Sequence, residues 1–175
     1  MGLSTAITGG IVTFSIVYAM MSFPIIVDST TKLSTSSTQM SSILNNIMHT
    51  SINISNLDAP SNATLVTFSA NNTGTTMLWN YNQFDVIITY QSIISGNPTT
   101  LTEVLQYASS CASLSFDHWC INSITKDFTH PGMLDPKESL NIKAQLAQSL
   151  QSGSIITVNF GTDNGVIATS SVRSS

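Results

Sequence analysis

Three histidines, two cysteines and a few carboxylates are the side chains in this sequence best suited to bind a metal or move a proton. His49, His118 and His130 are scattered, and no two stand at the i, i+4 or short-loop spacings that metal ligation favours. One constellation combines types: Cys111, His118 and Cys120 would offer three zinc ligands. The same cysteines, nine positions apart, could cross-link a hairpin as a disulfide, or stay free and buried. Trp119 between two of the ligands and the extracellular signs below favour the disulfide Cys111–Cys120 over zinc. The only glutamates are Glu103 and Glu138. Asp135-Pro136-Lys137-Glu138 reads as a turn entering a strand, because Pro136 presets the turn and the alternation after it accounts for the rest. A phosphate-binding Gly-rich loop, a nucleophile elbow and a patterned carboxylate pair are all missing. The expectation is therefore no enzymatic activity, with no catalytic, cofactor-binding or metal residues. Trp79 and Trp119 read as core or edge packing, although an exposed Trp can anchor a binding surface.

The surroundings of these residues are polar but hardly charged. Of 175 residues, 8% are Asp, Glu, Lys or Arg, against roughly 25% in an average soluble domain. A net charge of −4 without a basic stripe excludes nucleic acid as an expected partner. The sequons Asn53-Ile54-Ser55, Asn62-Ala63-Thr64 and Asn71-Asn72-Thr73 make Asn53, Asn62 and Asn71 candidate N-glycosylation sites. Together with the cysteine pair they place the C-terminal part outside the cell. The length allows one domain plus an anchor.

The anchor is legible at the start. No ionisable side chain occurs through Val27, and Ile7, Ile11, Val12, Phe14, Ile16, Val17, Tyr18, Met20, Met21, Phe23, Ile25, Ile26 and Val27 form an almost continuous apolar surface. About 20 helical residues cross a hydrocarbon core of about 30 Å, so residues 1–28 are expected to be a transmembrane helix that exits at Asp28 and Lys32. Gly2, Ser4, Thr5, Thr8, Gly9 and Gly10 give it a small-residue face. A cleavable secretory signal fits less well, since no Lys or Arg precedes the apolar run and no A-x-A-like site follows it. A pilin leader would need a charged segment and a processing site ahead of the helix. Lys32 alone argues weakly against an outward-facing C-terminal part under the positive-inside rule.

Residues 29–49 read as a Ser/Thr-rich, partly helical connector. Met40, Ile43, Leu44, Ile47 and Met48 recur at helical spacing, a stripe able to dock on its own domain or to pair with a copy of itself. From residue 50 the period becomes two. Thr64, Val66, Phe68 and Ala70 share a face, as do Phe84, Val86, Ile88 and Tyr90. Leu140, Ile142, Ala144 and Leu146 alternate with polar residues, and so do Ile156, Val158 and Phe160. Asn164-Gly165 reads as a tight hairpin turn into Val166 to Thr169. The fold class expected for residues 50–175 is all-β, an Ig-like β-sandwich of seven or eight strands.

Three segments resemble the archaeal flagellar F/G family of the archaellum. These are VTFSANNTGTTMLWNYNQFDVIITY (66–90), MLDPKESLNIKAQL (133–146) and the terminal hairpin VNFGTDNGVIAT (158–169). In the second, Lys137 stands where the family often has Gly. The Met-Gly-Leu-Ser start looks more like the F branch, and the stretch from Ser92 to His130 with its cysteines has no match. The resemblance implies a stator-like component with its anchor in the cell membrane and its sandwich between membrane and surface layer. It also implies the S-layer protein, a G-type paralogue and filament or motor components as partners. An exposed edge strand adds a route to a homodimer. The competing expectation is a pilin- or thread-like filament subunit.

Overall fold

The computed structural model describes the backbone of residues 2–175 and their side chains except for 2–6, 23–27, 29 and 30. The chain divides into two compact units, Met1–Leu44 and Asn45–Ser175. Residues 2–44 of the first lie within one helix, α1, which runs over 48 residues from Gly2 to His49. At 1.5 Å per residue it is roughly 70 Å long. Residues 29–49 are thus a continuation of the same helix and not a separate, partly helical connector. Hydroxyls in the apolar and the Ser/Thr-rich parts alike bond back one turn. Thr13 Oγ1 donates to Gly9 O at 2.7 Å and Ser15 Oγ to Ile11 O at 2.9 Å, and further along Thr35 Oγ1 donates to Thr31 O at 2.9 Å and Thr38 Oγ1 to Ser34 O at 3.0 Å. A hydroxyl satisfied this way makes no demand on outside water. Asp28 and Lys32 pair at 2.7 Å across one turn, both exposed, a contact of little energetic weight.

Around this helix Ile7, Ile11, Val12, Phe14, Ile16, Val17, Tyr18, Met20 and Met21 are all exposed. At about 100° per residue they point to every side. Among the described residues no helix is long and apolar enough to cross a membrane. Phe23, Ile25, Ile26 and Val27, the most apolar part of the expected anchor, lie outside the described side chains, as do Gly2, Ser4 and Thr5 of its small-residue face. Gly9 and Gly10 have open space beside them. Met40, Ile43, Leu44, Ile47 and Met48 are exposed too. Ile47 and Met48 belong to the second unit and take no part in its core.

Eight strands build the second unit: β1 (Ile52–Asp58), β2 (Leu65–Asn72), β3 (Asp85–Ile94), β4 (Asn97–Ala108), β5 (His118–Thr125), β6 (Ser139–Gln145), β7 (Ile155–Gly161) and β8 (Ile167–Arg173). Their hydrogen-bonded order is β1-β2-β6-β5-β4-β3-β7-β8. Every pairing is antiparallel except β4 with β5, which touch in parallel over three residue pairs, Gln106–His118, Tyr107–Trp119 and Ala108–Cys120. The order splits there into β1-β2-β6-β5 and β4-β3-β7-β8, the two sheets of an Ig-like sandwich with its extra strand on the second sheet. The stretch from Ser92 to His130 supplies β4 and β5, so it is framework and not an insertion.

The alternating residues meet between the sheets. Val66, Phe68 and Ala70 of β2, Val86, Ile88 and Tyr90 of β3, Leu140, Ile142 and Ala144 of β6, and Ile156, Val158 and Phe160 of β7 are all buried. Phe160 is the hub. Its ring meets Phe84, Phe68 and Trp119 edge-on, with centroids 5.6, 6.1 and 6.1 Å away. Edge-to-face pairs add about 0.5–1.5 kcal/mol each beyond the area they bury.

The cysteines are bonded to each other, Cα to Cα 5.5 Å, but they do not close a hairpin. They span the loop between β4 and β5, two strands that run parallel and sit at the junction of the two sheets. Closing so small a loop stabilises by roughly 2–3 kcal/mol in the chain-entropy model. Cys111→Ser together with Cys120→Ser is expected to lower unfolding stability by about that amount, measured by urea denaturation. A second prediction concerns the turn before β6. Lys137 has φ +72°, which a side chain opposes and glycine accepts. Lys137→Gly should raise stability by about 0.5–1 kcal/mol, read as a higher thermal midpoint.

Candidate functional site

The side chains able to do chemistry are placed for structure. Cys111 and Cys120 are consumed by the disulfide, and His118 instead bonds the carbonyl of Phe116 at 2.7 Å through Nδ1. Among the described residues no group of three His, Cys, Asp or Glu side chains could hold a metal. The Asp135–Glu138 turn forms as the sequence suggests. Glu138 N donates to Asp135 O at 3.1 Å, and Asp135 N donates to Glu138 Oε2 at 3.0 Å. Asp135 also pairs with His130 at 2.9 Å. These contacts fasten the loop before β6 to itself.

Three tyrosines are held in their protonated form. Burial pushes the Tyr90 phenol well above its ordinary value, and its hydrogen bond to Glu103 adds to the shift. Tyr90 thus donates to Glu103, while Gln148 N donates to Tyr90 Oη at 3.2 Å and Ala147 N to Glu103 Oε2 at 3.2 Å. This knot ties the segment after β6 to β3 and β4. Tyr81 is raised first by burial and then by nearby Asp127, and Tyr107 by burial. Tyr90, held as a donor to Glu103 at neutral pH, is a brace and not an acid–base group.

The most elaborate arrangement lies where α1 enters the sandwich. The last helical carbonyl, of His49, accepts from Thr75 N at 2.8 Å and Thr76 N at 3.2 Å. Ser51 O accepts from Thr73 N at 2.8 Å and Gly74 N at 3.0 Å. The segment Thr73–Thr76 after β2 therefore closes over the end of the helix, Thr75 and Thr76 capping its last carbonyl. Gly74 is required for close approach: a Cβ there would stand 2.5 Å from both His49 O and Ser51 N. From the other side, Asn164 of the terminal hairpin donates through Nδ2 to Thr50 Oγ1, and Thr50 donates to Asn46 O at 2.8 Å. The Asn164-Gly165 turn is confirmed, with Gly165 at φ +84°. It doubles as a clamp, a role no local pattern announces. Trp79, 56% exposed, borders this junction with Asn46, Met77 and Asp163 around a cleft of about 140 Å³. Trp119, in contrast, is fully buried in the core.

The sequon residues differ in access. Asn53 is exposed on β1, Asn62 is exposed in a turn at φ +61°, and Asn71 is half-buried with Nδ2 donating to Ser55 Oγ at 2.9 Å.

No protein-family model matches the chain, and no curated sequence relative does. Solved structures do. A chain of the archaeal flagellum of Methanospirillum hungatei strain JF1 aligns with TM-score 0.60 and 12% identity, covering 100% of this chain and 94% of its own. The archaellum periplasmic stator complex of FlaF and FlaG from Sulfolobus acidocaldarius gives TM-score 0.50 and 18% identity over 69% of this chain and 87% of its own. FlaG from the same organism gives 0.49 and 20% over 70% and 99%. This chain has the fold of archaellum proteins. The proteins it resembles are components of a stator or a flagellum, and none is named as an enzyme.

Gly74→Ala is the direct check on the junction. It is expected to cost about 2 kcal/mol or more, because the clash is with backbone that cannot step aside. Urea unfolding followed by tryptophan fluorescence measures it.

Proposed function

We propose that this protein is a non-enzymatic archaellum component of the F/G type. In this reading it is stator-like, single-pass and held in the cell membrane by residues 1–28, with its sandwich between the membrane and the S-layer. The observation that carries the reading is the helix from Ile7 to Met21, apolar on every side and exposed throughout. A helix hydrophobic all round has to be covered by lipid or by other helices. The back-bonded hydroxyls of Thr13, Ser15 and Ser22 suit either cover, since they are satisfied within the helix. The disulfide supports an oxidising location for the sandwich. An accessible sequon at Asn53 points the same way, and glycans at Asn53, Asn62 or Asn71 are part of this proposal. The S-layer protein, a G-type paralogue and a second copy of the chain are its proposed partners, the paralogue on the analogy of the FlaF and FlaG complex.

A second reading, a filament subunit whose helices bundle into a core, is favoured by one observation. The flagellum chain matches helix and sandwich alike, over the whole length of this protein. Fractionation separates the two. A stator component stays with membranes through alkaline washing and its sandwich sediments with isolated S-layer sheets, whereas a filament subunit is recovered in polymers sheared from the cell. Ile16→Lys, at the middle of the apolar run, should deplete the membrane fraction, since a lysine at a helix centre costs about 2.5–3.5 kcal/mol on insertion. Recovery of the wild-type chain in sheared polymers would overturn the stator reading.

A further inference from the structure

On the outer face of the β1-β2-β6-β5 sheet lies a groove of about 360 Å³, lined by Asn56, Thr67, Ser69, Asn122, Asn141 and Lys143. It is large enough for a small ligand and not an accident of a flat sheet. Two β-bulges shape it. On β1 the register slips between Ser55 and Asp58, and the bulged Asn56 takes φ +50°. On β5 it slips between Ile121 and Ser123, leaving Asn122 unpaired in the ladder. Bulges of this kind re-aim side chains and curve the strands around what they face.

The floor is preorganised. Ser69 Oγ donates to Asn141 Oδ1 at 2.9 Å, and Asn141 Nδ2 donates to Ser123 Oγ at 3.0 Å and Thr125 Oγ1 at 3.2 Å. Above that fixed ladder stand groups with capacity to spare. Among the described residues, Asn122, Thr67 and Lys143 carry no side-chain hydrogen bond and Lys143 has no ion pair. Asp58 lies in the same cross-strand row as Lys143, with Thr67 between them. One ammonium and one carboxylate flank a run of amides and hydroxyls, so the groove is neutral in sum and offers donors and acceptors side by side.

That chemistry selects among ligands. A polyanion meets one cation and an opposing carboxylate. A peptide strand finds no free backbone edge between the two bulges, because β2 and β6 are paired on both sides. A sugar ring presents vicinal hydroxyls, each donor and acceptor at once, which amides, hydroxyls and a lysine satisfy. We infer that this groove binds a neutral sugar residue of a surface glycan, with Lys143 and Asn122 donating to its hydroxyls and Asn141 holding the floor rigid. The inference rests on the surface-layer reading above and supplies the chemistry of the contact.

The test uses the full chain in detergent micelles, produced without glycosylation. Saturation-transfer NMR is run against neutral hexoses and N-acetylhexosamines, with sulfated and uronic-acid sugars as the anionic arm. Binding of a neutral sugar with Kd near 1 mM is expected. Lys143→Ala and Asn122→Ala should each weaken it about fivefold, the loss of one hydrogen bond. Thr102→Ala, on the outer face of the other sheet, should leave it unchanged. No neutral sugar bound at about 10 mM, a preference for the anionic arm, or equal binding by all variants overturns the proposal. S-layer sheets then separate the two ideas. If the chain sediments equally with native and chemically deglycosylated sheets, the glycan inference fails and the stator reading stands. If it sediments with neither, the stator reading fails, and sugar binding in the NMR arm still decides the groove.

Discussion

The short parallel contact between Gln106–Ala108 and His118–Cys120 decides how this sandwich is put together. The chain passes between the two four-stranded sheets after β2, after β4 and after β6, and only the passage from β4 to β5 joins strands that pair with each other. Parallel neighbours normally need a connection of a dozen or more residues. The loop between Ala108 and His118 is shorter than that, and the disulfide holds it. Trp119, next to Cys120, then drops into the core against Tyr107 and Phe160, so the crossing and the aromatic cluster are fixed together. From that point β6 pairs with both β2 and β5, and β3 with both β4 and β7, which sets the curvature of each outer face.

The same architecture leaves the strand ends free to make the junction with α1. The Asn72–Thr76 turn and the Thr162–Val166 turn come from different sheets, yet both bond the segment 46–51. The last helical turn is therefore held by both halves of the sandwich. Thr50 is the meeting point, buried with its hydroxyl accepting from Asn164 and donating to Asn46.

Much of this was legible in the sequence, for reasons that differ by element. The strands β2, β3, β6 and β7 announce themselves because each is half-buried and alternates strictly, as Leu140, Ile142 and Ala144 do against Asn141 and Lys143. By contrast β4 is hidden, since Thr100, Thr102 and Val104 face outward and Leu105 is its one buried residue. The parallel course of β5 also escapes, because two nearby cysteines look alike whether they close a hairpin or a crossing. In α1 the polar stretch after Asp28 suggests a boundary, but hydroxyls bonded to the preceding turn remove the reason for one. The junction and the groove are invisible to pattern. One depends on backbone reaching backbone across Gly74, the other on bulges that exist only once strands have paired.

The disulfide has a further consequence for how the protein matures. While both thiols are reduced, the crossing between the sheets lacks its covalent tie, so a chain waiting in a reducing compartment carries the weaker form of its own fold. Oxidation supplies that tie. The pair Cys111 and Cys120 thereby records the redox history of each molecule: a thiol-alkylating reagent marks chains still in the weaker form, and protection from it marks those whose crossing is closed.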